Sequence, residues 1–502
     1  MSTHKIEKCA QLLSQKSTDD EKFAGLLLLP RIVDPQDAQS WSLLFDAMDI
    51  RFIERLLRTG IKQANASSTE EASDHTMLSI AVSIIDVLAS HDHIATSPRI
   101  VERIPSLSAV AALKIDNVSS EAMSALSRLL VYDDAVKVIL ETPSLLTDII
   151  NTIKDSQSQS TVQFIDYALN RCSQFISSES KYLLGWISVV SCAAAAFDHE
   201  NSKVKFDLIG VLANALEPVT ASTAIDIEET GPLMQLVKHT SSGCISILKQ
   251  KTEANQYTDQ ALVLCSHLVR LWPRAIFLGL ASNHDSNDTV NQKEAELVLR
   301  LACIEGQSAI DAMMIIDSSQ SANEFIERGW KLPICAEITA SWLSWVTRWL
   351  DDQPPDSLEV DESALYKIMS EIQRLATSSI TLLVDWKERM PDEQEMLDSG
   401  SVLVISIVHF LSLWLSTDPK LHQAAMPILP MCTKWISNKE HGAIVAEYLR
   451  PCISFALETC GISEAQYADD LKTHQLHHDR SQAQEFASPW VGTIDFDDLA
   501  RA

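Results

Sequence analysis

The residues best suited to chemistry stand near the end of the chain. His474, His477 and His478, followed by Asp479, form the run THQLHHD. Imidazoles this close together can chelate zinc or nickel. A complete shell needs a further ligand group, and no second histidine or cysteine cluster supplies one. His199-Glu200 begins the metalloprotease pattern HExxH, but Lys203 stands where the second histidine is required. Asp351-Asp352 starts like the aspartate-rich metal motif of helical terpene cyclases, and Pro355 then replaces an aspartate. Asn287-Asp288 hints at the partner motif, with Asn291 and Ala295 in place of its other ligands. A nucleophile elbow, a GxxxxGK phosphate loop and a glycine-rich dinucleotide fingerprint are all missing. These patterns imply no catalytic residue, metal or cofactor.

The aromatic residues offer binding instead. SWLSWVTRWLDD carries Trp342, Trp345 and Trp349 at spacings of three and four, on one face of a helix. HFLSLWLSTDP does the same with Phe410, Trp414 and Leu415. Such a stripe serves either as a peptide-binding ridge, where Trp is a favoured hot spot, or as a buried core face. In the tail, PWVGTIDFDDL sets Trp490, Ile494, Phe496 and Leu499 among acids, as in a short motif that docks into an apolar groove.

The elements that would carry these residues are helices. From Asp19 to Gly60 a polar, acidic start leads into an apolar run broken by Pro30, and then into a second amphipathic segment. That predicts a hairpin of two helices that cannot bury their apolar faces alone. In the second segment Trp41, Leu44, Phe45, Met48, Phe52 and Leu56 keep a helical period. The period returns at Val204, Leu208, Val211, Leu212 and Ala215, and again at Leu365, Ile368, Met369, Ile372 and Leu375. Proline or polar breaks recur about every 12–25 residues, the rhythm of a helix-pair solenoid. The predicted fold is all-α, an armadillo-like helical-repeat superhelix. Its first part spans 1–280 and its second 294–469, with 281–293 as separator. Residues 64–75 and 351–363 read as surface loops, and 470–502 as a flexible, acidic and polar tail.

Composition agrees. At 502 residues the chain exceeds one ordinary core, and its 13 glycines are few for a large β or phosphate-loop fold. The net charge of -28, from 68 acids and 40 bases, repels phosphate backbones and argues against nucleic acid. It favours protein partners with basic or amphipathic segments. The ten cysteines form no CxxC pair and mostly sit in apolar helical runs, as core thiols of a reducing compartment do. No apolar signal core opens the chain, and no uninterrupted apolar run reaches the ~18 residues of a membrane span. The expected location is cytoplasmic, with peripheral membrane association only through partners.

Several blocks resemble the neurochondrin family. EKFAGLLLLPRIV followed by LLFDAMDIRFIERLL is similar to that family's opening. SHDHIATSPRIVERIPSLSAVA, AELVLRLACIEGQSAIDAM and VISIVHFLSLWLSTDPKLHQAAMPILPMCTKW match later family blocks, in the family's order. The resemblance implies an armadillo-like, cytosolic, non-enzymatic protein that modulates kinase and receptor signalling by binding. It offers no catalytic residues. Two other readings stay open: an all-α enzyme with an internal helical pocket, and a helical-repeat transport receptor. No Trp has Asn four residues later, as the ladder of nuclear-import armadillo repeats would require.

Overall fold

The computed structural model describes residues 3–66, 75–156, 158–200, 202–219, 231–249, 255–281, 292–315, 327–352, 362–389, 393–436, 441–452 and 455. Among the described residues the regular structure is α-helical with three short 3-10 turns, and no strand occurs. Contacts divide the chain into two compact units, Met1–Val219 and Thr220–Ala502. The expected separator, 281–293, therefore falls inside the second unit.

The first unit contains α1 (Thr3–Leu13), α2 (Asp19–Ile32), α3 (Ala38–Ala47), α4 (Ile50–Ala66), α5 (Thr76–Ala89), α6 (Asp92–Ala95) and α7 (Pro98–Val101). It continues with α8 (Ile104–Ala111), α9 (Asp116–Leu129), α10 (Asp133–Glu141), α11 (Ser144–Ser156), α12 (Gln159–Ser178), α13 (Leu183–His199) and α14 (Lys203–Leu216). Two layers follow from their packing. α4, α8, α11 and α13 stack in one layer, while α5, α9, α12 and α14 stack in the other. The second-layer helices begin at Thr76, Asp116, Gln159 and Lys203, about 40–44 residues apart, the length of an armadillo-type repeat. A short first helix, a second and a longer third make up each unit from α7 to α12. This is an armadillo-like all-α solenoid.

Hydrogen bonds across the repeats show the same period. Tyr132 donates its hydroxyl to Asp92 at 2.8 Å, and Tyr182 reaches Glu141 at 3.4 Å in the next repeat. Arg171 donates to the carbonyls of Leu130 and Val131 at 3.1 and 3.0 Å, so α12 satisfies the orphan carbonyls that end α9.

Local chemistry explains the helix starts. Thr18 and Glu21 form a reciprocal capping box at α2, with Asp19, Asp20 and Glu21 in the positive first turn. Pro98 and Pro105 occupy the first turns of α7 and α8, where a missing N–H costs nothing. Pro30 is a correction to the sequence reading. It lies inside the last turn of α2, and the chain breaks only at Val33, whose backbone is extended. The amphipathic run from Trp41 to Leu57 is a second correction. It is interrupted at Met48–Asp49, between α3 and α4.

The segment Ser180–His199 is long and apolar enough to span a membrane, with a mean hydropathy of 1.3. Here it is a core helix: Trp186, Ile187, Val190 and Phe197 are buried, and α13 packs on α11 and α14.

The second unit contains α15 (Gly231–Leu248), α16 (Asn255–Leu271), α17 (Pro273–Ala281), α18 (Gln292–Met314), α19 (Lys331–Asp352), α20 (Glu362–Arg389) and α21 (Glu393–Thr417). Short helices α22 (His422–Ala425), α23 (Leu429–Trp435) and α24 (Gly442–Leu449) follow. It repeats the two-layer plan with longer helices. α15, α18 and α20 form one layer, and α16, α19, α21 and α24 the other. Trp342, Trp414, Trp435, Phe277 and Phe410 fill its core.

Candidate functional site

The tryptophan stripe divides. Trp342 is 1% exposed, so it belongs to the core and cannot meet a partner. The reason is that α19 packs on α16, α18 and α21 at once. Trp345 is half-buried, its ring 5.8 Å from that of Phe277. Trp349 lies in α19, with its side chain outside the described residues, and Trp490, Phe496 and the His474–Asp479 run lie wholly outside them. Trp414 is core as well, and the nine cysteines among the described residues carry free thiols, all buried except Cys192.

A different surface emerges on the third-helix layer of the first unit. The partly exposed side of α5 carries Ser83 and Asp86, that of α9 Glu121, Ser124 and Arg128, that of α12 Asp166 and Asn170, and that of α14 Asp207 and Asn214. Spacings of three, four or seven put each set on one helix face. Bonds cross from helix to helix. Ser83 donates to Glu121 at 2.6 Å, Ser124 to Asp86 at 2.9 Å and Asn214 to Asp166 at 3.1 Å. Arg128 neutralises Asp86 at 3.2 Å. Glu121 and Asp166 accept only from neutral donors, and Asp207 has no ion pair among the described residues. The result is a polar face bridged from α5 to α9 and from α12 to α14, with three carboxylates open to a cation. Sequence reasoning missed it because each helix contributes only two or three ordinary polar residues. Only the stacking makes them a row.

The strongly perturbed histidine and carboxyl groups are elsewhere, inside the second unit. Burial drives the His267 imidazole down to about 3, helped by nearby Arg270, so it is neutral. Its Nδ1 lies 3.3 Å from Nη2 of Arg270 and accepts from it. Burial raises Glu337 to about 7 against the opposing pull of Arg270. Lys331 bridges Asp259 at 2.6 Å and Glu305 at 3.6 Å, tying α19 to α16 and α18. Perturbed groups of this kind mark catalytic sites when a substrate can reach them. His267 is 1% exposed, and approach to it would require packed helices to part. The cluster joins helices.

A family model described as Neurochondrin matches residues 2–447. The chain belongs to the neurochondrin family. A neurochondrin homolog of Drosophila melanogaster is 22% identical over 440 residues, covering 86% of this chain and 56% of that protein. Neurochondrin of Xenopus laevis is 22% identical over 334 residues, 63% of this chain and 42% of that one. Human neurochondrin is 30% identical over 105 residues, 20% of this chain and 14% of that one. The chain thus spans about half the length of the first two relatives. Among solved structures, an engineered protein is 14% identical, covers 90% of this chain and 98% of its own, and has a TM-score of 0.42. A computationally designed armadillo repeat protein for modular peptide recognition is 14% identical over 49% of this chain and 99% of its own, with a TM-score of 0.27. The neurochondrin blocks read from the sequence, from EKFAGLLLLPRIV onward, fall within the matched span.

Proposed function

We propose that this neurochondrin-family chain is a non-enzymatic scaffold in the cytoplasm that holds signalling proteins, such as receptor tails and kinases, and modulates their activity. The observation that carries this reading is the polar face on α5, α9, α12 and α14, bridged from α5 to α9 and from α12 to α14, with Glu121, Asp166 and Asp207 open to cations. A rigid row of acceptors favours basic or amphipathic protein segments and disfavours nucleic acid. The net charge of -28 acts in the same direction. The segment from Trp490 to Phe496 suits a second role, as a short motif for a partner's apolar groove.

Affinity capture with the full chain at moderate salt, read by mass spectrometry, tests the reading when run beside the triple variant E121Q/D166N/D207N. The scaffold reading expects proteins with basic segments on the wild type and their loss from the equally folded variant. An identical set on both would remove this surface from the function. A product-forming activity in the purified chain would overturn the scaffold assignment.

A further inference from the structure

One layer of the second unit stands back from solvent. Residues 257–271 of α16, 332–346 of α19 and 401–415 of α21 include none that is exposed. The other layer exposes Ser308 and Asp311 on α18, and Arg374, Thr377 and Thr381 on α20. No third layer of described helices covers α16, α19 and α21. Their outward positions are therefore shielded by one another, as on the inner side of a curved stack.

The floor of this recess is short of charge. On α19, Ser341 and Ser344 follow Glu337 at spacings of four and three, and on α21 Ser406, His409 and Leu413 keep the same rhythm. All six are partly exposed. Tyr448 of α24 stacks on His409, with ring centres 4.0 Å apart. Glu337 and His409 reach solvent yet are surrounded by protein. Burial raises the first to about 7 and lowers the second to about 4, which favours the neutral form of each. The cation that acts on Glu337 is Arg270 of α16.

We infer that this recess seats the chain's own segment 490–499 when no partner holds it. That segment sets Trp490, Ile494, Phe496 and Leu499 beside Asp495, Asp497 and Asp498, and no base occurs from 481 to 500. A chain of net charge -28 repels such a segment from most of its surface, whereas a nearly uncharged floor beside Arg270 does not. The four apolar side chains gain by leaving water. The tether permits it. The 3-10 turn Arg450–Cys452 packs on α21, so the described fold ends against a helix of this layer. About 40 residues lead from Cys452 to Trp490 and span up to ~130 Å when extended, against about 30–40 Å across four packed helices.

Fluorescence anisotropy with a labelled peptide of sequence SPWVGTIDFDDL tests this on two full chains, the wild type and W490A/F496A. The wild type's own segment competes with the peptide, so W490A/F496A is expected to bind it about tenfold tighter. Ser341→Glu, added to W490A/F496A, is expected to weaken the peptide by about tenfold with the melting temperature held, and Ser344→Glu replaces it if that chain does not fold. Sedimentation should find the wild type no more associated than W490A/F496A. Equal binding by the two chains, or binding by neither, would overturn the inference and leave the segment to partners. So would undiminished binding by a folded Ser341→Glu or Ser344→Glu chain. A wild-type dimer lost in W490A/F496A would place the segment on a second copy and overturn the seat within one chain. The scaffold reading stands apart from these results, since E121Q/D166N/D207N tests it on the first unit.

Discussion

Arg99 secures the end of α3 from the start of another repeat. Its two terminal nitrogens donate to the Met48 carbonyl at 2.5 Å and the Phe45 carbonyl at 3.1 Å, and its guanidinium lies 4.5 Å from the Phe45 ring centre. The helix C-terminus is the negative end of its dipole, so a planar cation with two donors suits it. Arg99→Ala is expected to lower unfolding stability by about 2–3 kcal/mol in a denaturant titration. Arg99→Lys should rescue only part, because an ammonium cannot make the forked contact. Full stability in Arg99→Ala would remove the cap from the account.

Two helical glycines are expected to respond in opposite directions to alanine. A Cβ on Gly185 would collide with the backbone oxygen of Leu140, so α13 and α10 would have to separate. Gly210 meets nothing. Gly185→Ala should unfold at markedly lower temperature, and Gly210→Ala should gain up to about 1 kcal/mol. Differential scanning fluorimetry of both variants checks the pair, and the same sign for both would contradict the packing described.

Glu337 and His267 give the second unit opposed pH dependences. Glu337 is raised from 4.5 to about 7 by burial, so the folded state prefers its protonated form. Its contribution is fully present below 4.5 and is lost as pH rises to about 7. His267 is lowered from 6.5 to about 3, so its contribution is present above 6.5 and is lost as pH falls. Between 4.5 and 6.5 the two slopes offset one another. Glu337→Gln should therefore become steadily more stable than the wild type from pH 4.5 to about 7, and hold that lead above it. Denaturation curves across this range measure the difference, and a constant difference would contradict the raised Glu337.

Trp342→Ala removes a fully enclosed ring and is expected to cost about 3–5 kcal/mol. Trp345→Ala, from a half-buried site beside Phe277, should cost less than about 2 kcal/mol. Equal losses in chemical denaturation would mean that both rings lie in the core to the same depth.

The helices were legible in the sequence because apolar spacing and proline placement are local. Val204 to Ala215 lies in α14 and Leu365 to Leu375 in α20, as their period predicts. The break between α3 and α4 was not legible, because distant groups make it. Asp49 donates its N–H to the Leu13 carbonyl at 3.0 Å and receives Lys22 at 2.9 Å, while Arg99 holds Met48. The Trp342 stripe was visible, but periodicity alone cannot say whether a helix face meets another helix or water. The row from Glu121 to Asp207 was invisible for the converse reason: its members become neighbours only when repeats of about 40–44 residues stack.

Recruitment of partners by this row is tested most directly by the affinity of one captured partner for the full chain as salt rises from about 50 to about 300 mM, through the range in which the Debye length falls below ~8 Å. Attraction by Glu121, Asp166 and Asp207 predicts binding that weakens by about tenfold over that range, and a visibly shallower dependence in E121Q/D166N/D207N. Binding that is equally tight at both ends, in both proteins, would contradict it.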